Sequence, residues 1–185
     1  EDDVYGGLYF AAQAPMCSKS EASNEHVLHV LSFSKCLAPG YRLGWVAAGR
    51  HAEKIIRLKL STTLATTVLV QIAIAEYLKQ GGYDHHLRRL RLQLAVQESV
   101  LIDAVERHFP AQAKLARPAG GYFMWIELPA QVDVLKLHKM ALDQGISLAP
   151  GLIFSAKREF ANCIRLNYGY PDSARQQEAI ATLGR

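Results

Sequence analysis

The sequence predicts an α/β protein whose carboxy-terminal part changes to an α+β arrangement. Two apolar runs, residues 26–31 and 43–48, flank a polar turn that contains Pro and Gly, which is the pattern of strand, loop and strand. Amphipathic helical spacing follows, and from about residue 115 short apolar runs alternate with helical segments. Half of the 185 residues are hydrophobic and 21% are charged, so the chain can bury a core.

The boundaries of the elements are predicted by cap and breaker residues. Helices are predicted over residues 51–60, 66–79, 84–108, 132–144 and 172–183, and strands over residues 26–31, 43–48, 121–128, 146–149 and 163–168. Gly81-Gly82 follows the second helix as a C-cap, and Asp84 is a candidate N-cap for the third. Pro110 ends the third helix, Gly145 ends the fourth, and Asp172 is a candidate N-cap for the fifth.

The third helix is the longest, spanning roughly 37 Å at 1.5 Å per residue. Its apolar stripe consists of Leu87, Leu90, Leu94, Leu101 and Val105. Arg88, Arg89 and Arg91 are interpreted as the solvated face of this helix rather than as a nucleic-acid patch. His85 and His86 are adjacent, so they cannot chelate a metal from one helix face.

The turn between the first two strands carries the residues best suited to chemistry. Lys35 lies three positions after Ser32, directly after Ser34 and seven positions before Arg42. Hydroxyls and a planar guanidinium are phosphate ligands. A lysine among them is either a further phosphate ligand or an amine nucleophile that forms a Schiff base. The alternative is a surface lysine at a strand end, beside serines that only begin a turn.

This turn resembles the lysine loop of fold type I pyridoxal-phosphate (PLP) enzymes, the aminotransferase class. Further stretches are similar to that family's landmarks and occur in its order: residues 1–5, 120–125, 149–154 and 164–167. The details of residues 1–3, 37–42 and 84–91 are most similar to the MocR group of GntR-type transcription regulators. In that group an aminotransferase-like domain follows a winged helix-turn-helix.

The resemblance implies a fold class and a domain organisation. The fold class is α/β, namely the carboxy-terminal part of the fold type I large domain plus the small α+β carboxy-terminal domain. Residues 1–80 are expected to be a remnant of the PLP-binding large domain, residues 81–110 a long linking helix, and residues 111–185 the small domain. We therefore expect the chain to be a carboxy-terminal fragment that, as given, binds PLP weakly or not at all.

The resemblance also implies how the turn that carries Lys35, residues 32–42, would act; it is called the lysine turn below. Lys35 would hold PLP as a Schiff base and then move the substrate α-proton, which requires an accessible neutral amine in a desolvated or cationic pocket. Ser32, Ser34 and Arg42 would bind the cofactor's phosphate.

Three further site residues lie outside the turn. Asp2 would pair with the pyridinium nitrogen of PLP, although Asp3 fits a second spacing, and Tyr5 would bond the phenolic oxygen. Arg165 stands among apolar residues of a predicted buried strand, so it needs an anionic partner. The resemblance supplies the α-carboxylate of a substrate; the alternative is an internal ion pair.

The functional hypothesis is a PLP-binding effector domain of a GntR/MocR-type regulator, which senses an amino acid or amine. The alternative is a stand-alone PLP-dependent amino-acid aminotransferase, and whether the chain belongs to an enzyme stays open. The family implies a homodimer for the full-length protein, with DNA bound only through a domain upstream. The upstream sequence would discriminate, since a helix-turn-helix favours the regulator.

Composition argues against several other classes of function. A net charge of +4 is poor evidence for nucleic-acid binding by this chain itself. No apolar run approaches the roughly 20 residues of a membrane span. The three cysteines have no metal-ligand spacing and indicate a reduced cytoplasmic protein without a metal site. The aromatic stripe of Tyr122, Phe123 and Trp125 is interpreted as core.

Overall fold

The computed structural model describes residues 1–21, 25–170 and 173–185, which form two compact units, Glu1–Arg91 and Leu92–Arg185. The helices are α1 (Ala52–Thr63), α2 (Val68–Lys79), α3 (Gly82–His108), α4 (Val134–Asp143) and α5 (Ser173–Leu183). The strands are β1 (His29–Ser32), β2 (Gly44–Ala47), β3 (Lys114–Ala116), β4 (Phe123–Glu127), β5 (Ala149–Pro150) and β6 (Cys163–Asn167). No helix within the described ranges combines the length and the apolar composition needed to cross a bilayer.

In the first unit, β1 and β2 form an antiparallel pair in which His29 lies opposite Ala47. The start of the chain runs parallel to β1 through a bridge between Asp2 and Val30. The Asp3 N–H donates to the Val30 carbonyl at 2.9 Å, and the Val30 N–H donates to the Glu1 carbonyl at 3.0 Å. This pairing holds the segment that carries Asp2 beside the strand that leads to Lys35.

The apolar core of the first unit is small. Its buried members are Leu8, Phe33, Cys36, Ala48, Ile74 and Leu87. Both α1 and α2 lie wholly within the described residues, and of these α2 contributes Ile74 alone and α1 contributes none. The core therefore concentrates where the turn after β1 meets the start of α3.

Helix α3 begins at Gly82, two residues before the predicted N-cap Asp84, so that boundary was wrong. Gly81 follows α2 in the left-handed region with φ of 71°, as predicted, whereas Gly82, predicted as part of the same cap, is already the first residue of α3. A Cβ at Gly82 would lie 2.5 Å from the ring of Tyr77, whose hydroxyl donates to the Gly82 carbonyl. Asp84 falls in the first turn, where its carboxylate faces the positive end of the helix dipole.

In the second unit the strands form an antiparallel sheet of order β3-β4-β6-β5. Met124 and Ile126 of β4 are fully buried, whereas Phe123 and Trp125 point to the opposite face and are half-buried. The interpretation of the aromatic stripe as core was therefore wrong. The reason is the two-residue period of a strand, which turns alternate side chains away from the core.

The core of the second unit joins this sheet to helices. Its fully buried or nearly fully buried side chains include Leu94, Leu101, Val105, Met124, Ile126, Val134, Ile164, Tyr168 and Ile180. Helix α4 is capped by Asp133, which accepts hydrogen bonds from the Leu135 and Lys136 N–H groups, and it is followed by Gly145 with φ of 73°. The proposed cap of α5, Asp172, lies outside the described residues.

Glu98 of α3 provides a test of the packing in the second unit. Burial raises the pKa of the Glu98 carboxyl, and the nearby Arg117 offsets this only in part. The folded state therefore holds the proton more tightly than the unfolded chain, and stability falls as the pH rises through the folded pKa. We expect Glu98→Gln to increase the free energy of unfolding at pH 7, and the gain to shrink near pH 4, in urea titrations at both pH values. Glu178→Gln, at an exposed position of α5, is the control; a gain that grows toward pH 4 would contradict the prediction.

Candidate functional site

The turn after β1 presents Lys35 on a hydrogen-bonded backbone. The Phe33 carbonyl accepts from the N–H groups of Leu37 and Ala38, each at 2.9 Å. Phe33 and Cys36 are buried, and Lys35 is exposed, with its Nζ 6.0 Å from the centroid of the Tyr5 ring. A lysine that forms a Schiff base is expected in a desolvated or cationic pocket. Among the described residues, however, the Lys35 side chain is exposed to solvent.

The predicted phosphate ligands converge on the same turn. The Ser32 hydroxyl accepts from the Ser34 N–H at 3.1 Å, and the Arg42 guanidinium donates to the Ser34 hydroxyl at 3.4 Å. Arg42 has φ of 50°, in the left-handed region that residues other than glycine seldom adopt. Such strain costs about 1–3 kcal/mol and tends to persist at functional sites. Two hydroxyls and a guanidinium within one turn form a donor set that fits a phosphate dianion.

The amino-terminal segment places its two aspartates differently. The Asp2 carboxylate is exposed and accepts from the Val4 N–H at 3.3 Å. The Asp3 carboxylate instead pairs with Nε2 of His29 at 3.0 Å, and His29 is buried. The spacing of residues left both aspartates open as partners of a cofactor nitrogen. The pairing with His29 engages Asp3 and leaves Asp2 available.

The carboxylate of Glu1 has its own partners. It accepts from the N–H groups of Ser18 and Lys19 at 3.0 and 3.2 Å. The hydrogen bond from Ser18 is the main reason why the pKa of Glu1 is lowered. Side-chain atoms of Glu1, Cys17 and His29 that could bind a metal ion lie within 4.8 Å of one another, a cluster that the sequence spacing did not predict. The position of the Glu1 carboxylate is explained by its hydrogen bonds, which connect the start of the chain to the turn at residues 18–20.

Arg165 lies on β6 in the second unit, and its guanidinium contacts two aromatic rings. Its guanidinium carbon is 4.0 Å from the centroid of Phe123 and 4.4 Å from that of Phe154. The antiparallel register pairs Trp125 with Arg165, which brings Phe123 to a diagonal position on the same face. Within residues 1–21, 25–170 and 173–185 no carboxylate forms an ion pair with Arg165. These cation–π contacts engage the guanidinium carbon and do not use the N–H groups as hydrogen-bond donors.

The structure thus groups the predicted residues in two sets. The first unit holds Asp2, Tyr5, Ser32, Ser34, Lys35 and Arg42. The second unit holds Arg165. Sequence reasoning missed His29, which binds Asp3, and Phe154, which stacks on Arg165. Neither contact follows from a local pattern, because each joins residues that are distant in the chain.

Comparison with known proteins gives a consistent family match. The pattern of the family "Aminotransferase class I and II" matches residues 1–183. The uncharacterised HTH-type transcriptional regulator YdcR of Escherichia coli is 44% identical over the whole chain, which spans 40% of that protein. Aromatic-amino-acid aminotransferase 1 of Thermococcus litoralis is 31% identical over 99% of the chain, which spans 44% of it.

A solved structure agrees over the full length. The chain matches LysN, the α-aminoadipate aminotransferase of Thermus thermophilus complexed with N-(5'-phosphopyridoxyl)-L-leucine, with a TM-score of 0.91 and 32% identity. The match covers 100% of this chain and 48% of LysN, so the chain spans about half the length of the proteins that it resembles. The predicted fold class is confirmed by these matches.

Proposed function

Because the chain belongs to the class I and II aminotransferase family, we propose that it is the carboxy-terminal part of the aminotransferase-like effector domain of a GntR/MocR-type transcription regulator. The family and its relatives that hold PLP derivatives imply PLP as the cofactor. In this proposal residues 1–80 belong to the PLP-binding large domain, residues 81–110 form the long linking helix, and residues 111–185 form the small domain. The observation that carries the proposal is the turn that joins Lys35 to Ser32, Ser34 and Arg42.

Each residue of the turn has a defined task. Lys35 would be the attachment residue and would hold PLP through a Schiff base between its Nζ and the cofactor's aldehyde group. Ser32 and Ser34 would hold the phosphate through hydroxyl hydrogen bonds, and Arg42 would add a charged fork. PLP, when bound, supplies the electron sink for chemistry at the α-carbon.

The amino-terminal segment completes the cofactor site. Asp2 is proposed to hold the proton on the pyridine nitrogen, which is supported by the engagement of Asp3 with His29. Tyr5 is proposed to bond the phenolic oxygen, and its ring already lies near the Lys35 amine.

Arg165 is proposed to bind the carboxylate of an amino-acid ligand. A guanidinium that has no carboxylate partner among the described residues retains its edge for a bidentate contact. The contacts with the Phe123 and Phe154 rings would restrict its orientation before the ligand arrives.

The proposed partners follow from the regulator. A small amino acid or amine would act as effector, DNA would be bound through a domain upstream, and the full-length protein would be a homodimer in the cytoplasm. The higher identity to YdcR than to the aminotransferases favours the regulator. The second candidate is a stand-alone aminotransferase, and it would show sustained transfer of amino groups from an amino acid to a 2-oxo acid.

Peptide mapping tests the proposed function. The full-length protein is incubated with PLP, reduced with borohydride and digested, and the pyridoxyl label is located by mass spectrometry. We expect the label on the peptide that contains Lys35. A label confined to other lysines, or no stable label, would contradict the proposal. A steady-state assay with amino acid and 2-oxo acid then separates the regulator from the enzyme.

A further inference from the structure

The start of α3 contacts the residue that follows Lys35. Nε2 of His86 lies 2.8 Å from the Cys36 carbonyl oxygen. A carbonyl oxygen can only accept, so Nε2 must carry the proton, and the imidazole donates in both its neutral and its charged form. This hydrogen bond is partly buried and joins residues 50 positions apart. It therefore fixes the backbone of the lysine turn from a separate element.

Tyr83, one turn earlier on α3, contacts the same turn through side chains. Its hydroxyl is 3.0 Å from the Cys36 thiol, which itself donates to the Ser32 carbonyl at 3.4 Å. Its ring packs edge-on against Phe33, with centroids 5.7 Å apart. Burial, together with the thiol contact, raises the pKa of Tyr83, so the hydroxyl keeps its proton. Phe33 and Cys36, which flank Ser34 and Lys35 in the sequence, therefore both contact α3.

The same helix face reaches the amino-terminal segment. Nε of Arg91 donates to the Gly7 carbonyl at 2.8 Å, and the guanidinium lies 3.9 Å from the centroid of the Tyr9 ring. Positions 83, 86, 87 and 91 share one face because three- and four-residue steps follow the helical period. Leu87, between them, is buried. One face of α3 therefore holds both segments that carry proposed cofactor ligands.

We propose that His86 is a positioning residue for Lys35, assisted by Tyr83. The inference rests on the proposed function, because it assigns a role in the covalent attachment of PLP. Lys35 leaves the backbone between Phe33 and Cys36, which both contact α3, so a shift of that backbone carries the amine with it. A displacement of about 1 Å can slow a reaction by up to about 100-fold. Loss of the donor at residue 86 leaves the Cys36 carbonyl without this partner, so the backbone at Lys35 and Cys36 shifts, whereas Ser32 stays paired with Gly44 of β2.

The test compares covalent and non-covalent binding in the full-length protein. Covalent capture of PLP is followed by borohydride quenching at timed intervals. Non-covalent affinity is measured with pyridoxine 5'-phosphate, which carries the phosphate but has no aldehyde. For His86→Ala we expect the capture rate to fall about tenfold, with the affinity for pyridoxine 5'-phosphate unchanged within about twofold. A role limited to overall folding would lower both quantities.

Matched variants separate the hydrogen bond from other effects. His86→Gln retains an N–H donor of similar reach and is expected to restore the rate to within about twofold of the wild type. Tyr83→Phe keeps the ring against Phe33, removes only the hydroxyl and is expected to slow capture about twofold to threefold. His85→Ala, at the exposed neighbouring position, is the control and should leave the rate unchanged.

The outcomes distinguish this inference from the proposed function. Capture at Lys35 by the wild type together with an equal rate for His86→Ala would overturn the positioning role and leave the proposed function intact. Failure of His86→Gln to restore the rate would also overturn it. Absence of capture at Lys35 in the wild type would overturn both. A folded Tyr83→Phe variant with reduced capture supports the inference even where His86→Ala fails to fold.

Discussion

Replacing Lys35 with alanine in the full-length protein is expected to abolish covalent capture of PLP. Alanine has no amine, and the neighbouring Ser34 and Cys36 offer only a hydroxyl and a buried thiol. The proposed phosphate ligands are untouched, so non-covalent affinity for pyridoxine 5'-phosphate should change by no more than a few fold, about 1 kcal/mol or less. The visible absorbance band of bound PLP, and the borohydride-trapped label, should both disappear.

Lys54→Ala is the matched control for this prediction. Lys54 is an exposed lysine of α1 in the same unit, and its removal should leave capture unchanged. A visible band that survives both gel filtration and the loss of Lys35 would place the attachment at another lysine. Loss of the pyridoxine 5'-phosphate affinity in the Lys35 variant would instead indicate that Lys35 acts as a phosphate ligand, the alternative that the sequence left open.

The elements that could be predicted from the sequence are those with a strong local period. The long helix α3 was located to within two residues at each end because its apolar stripe, Leu87 to Val105, persists over about five turns. Strand β3 was missed because three residues are too few to reveal a two-residue period in the sequence, and the strand is defined by its pairing with β4. Gly81 and Gly145 were predicted correctly because a left-handed residue after a helix is a local requirement.

In the candidate site, too, contacts between residues that are close in the chain were predictable and contacts between distant residues were not. Ser32, Ser34 and Arg42 lie close together in the chain, and a single turn was sufficient to join them. The pairing of Asp3 with His29 spans 26 positions and depends on the parallel bridge beside β1, which no local pattern encodes. The exposure of Lys35 also escaped prediction, because burial is a property of the assembled fold rather than of the adjacent residues.

The stacking of Arg165 shows why residue type and register must be considered together. The sequence identified an arginine that needed an anionic partner, and it left an internal ion pair as the alternative. Among the described residues the structure provides rings rather than a carboxylate, through the register of β4 with β6 and the turn that carries Phe154. A stacked guanidinium retains its charge and loses rotational freedom, which suits it to a ligand that arrives from solution.

The second large effect is therefore expected from Arg165→Gln in the full-length protein. Glutamine removes the charge and the planar fork, so binding of an amino-acid ligand should weaken about 100-fold, or about 3 kcal/mol. The corresponding amine, which has the same side chain but no carboxylate, should bind the variant and the wild type equally. Isothermal titration calorimetry of the amino acid and of the amine with the PLP-loaded proteins measures both affinities.

Three further variants define what Arg165 contributes. Arg165→Lys keeps the charge but loses the fork and most of the stacking, so it should recover only part of the affinity. Phe154→Leu leaves the guanidinium in place and removes one covering ring; an intermediate loss would mean that orientation as well as charge matters. Arg107→Gln, at an exposed arginine near the end of α3, is the control and should bind both ligands normally. If Arg165→Gln weakens the amine and the amino acid equally, the residue supports the fold of the sheet and does not recognise a carboxylate.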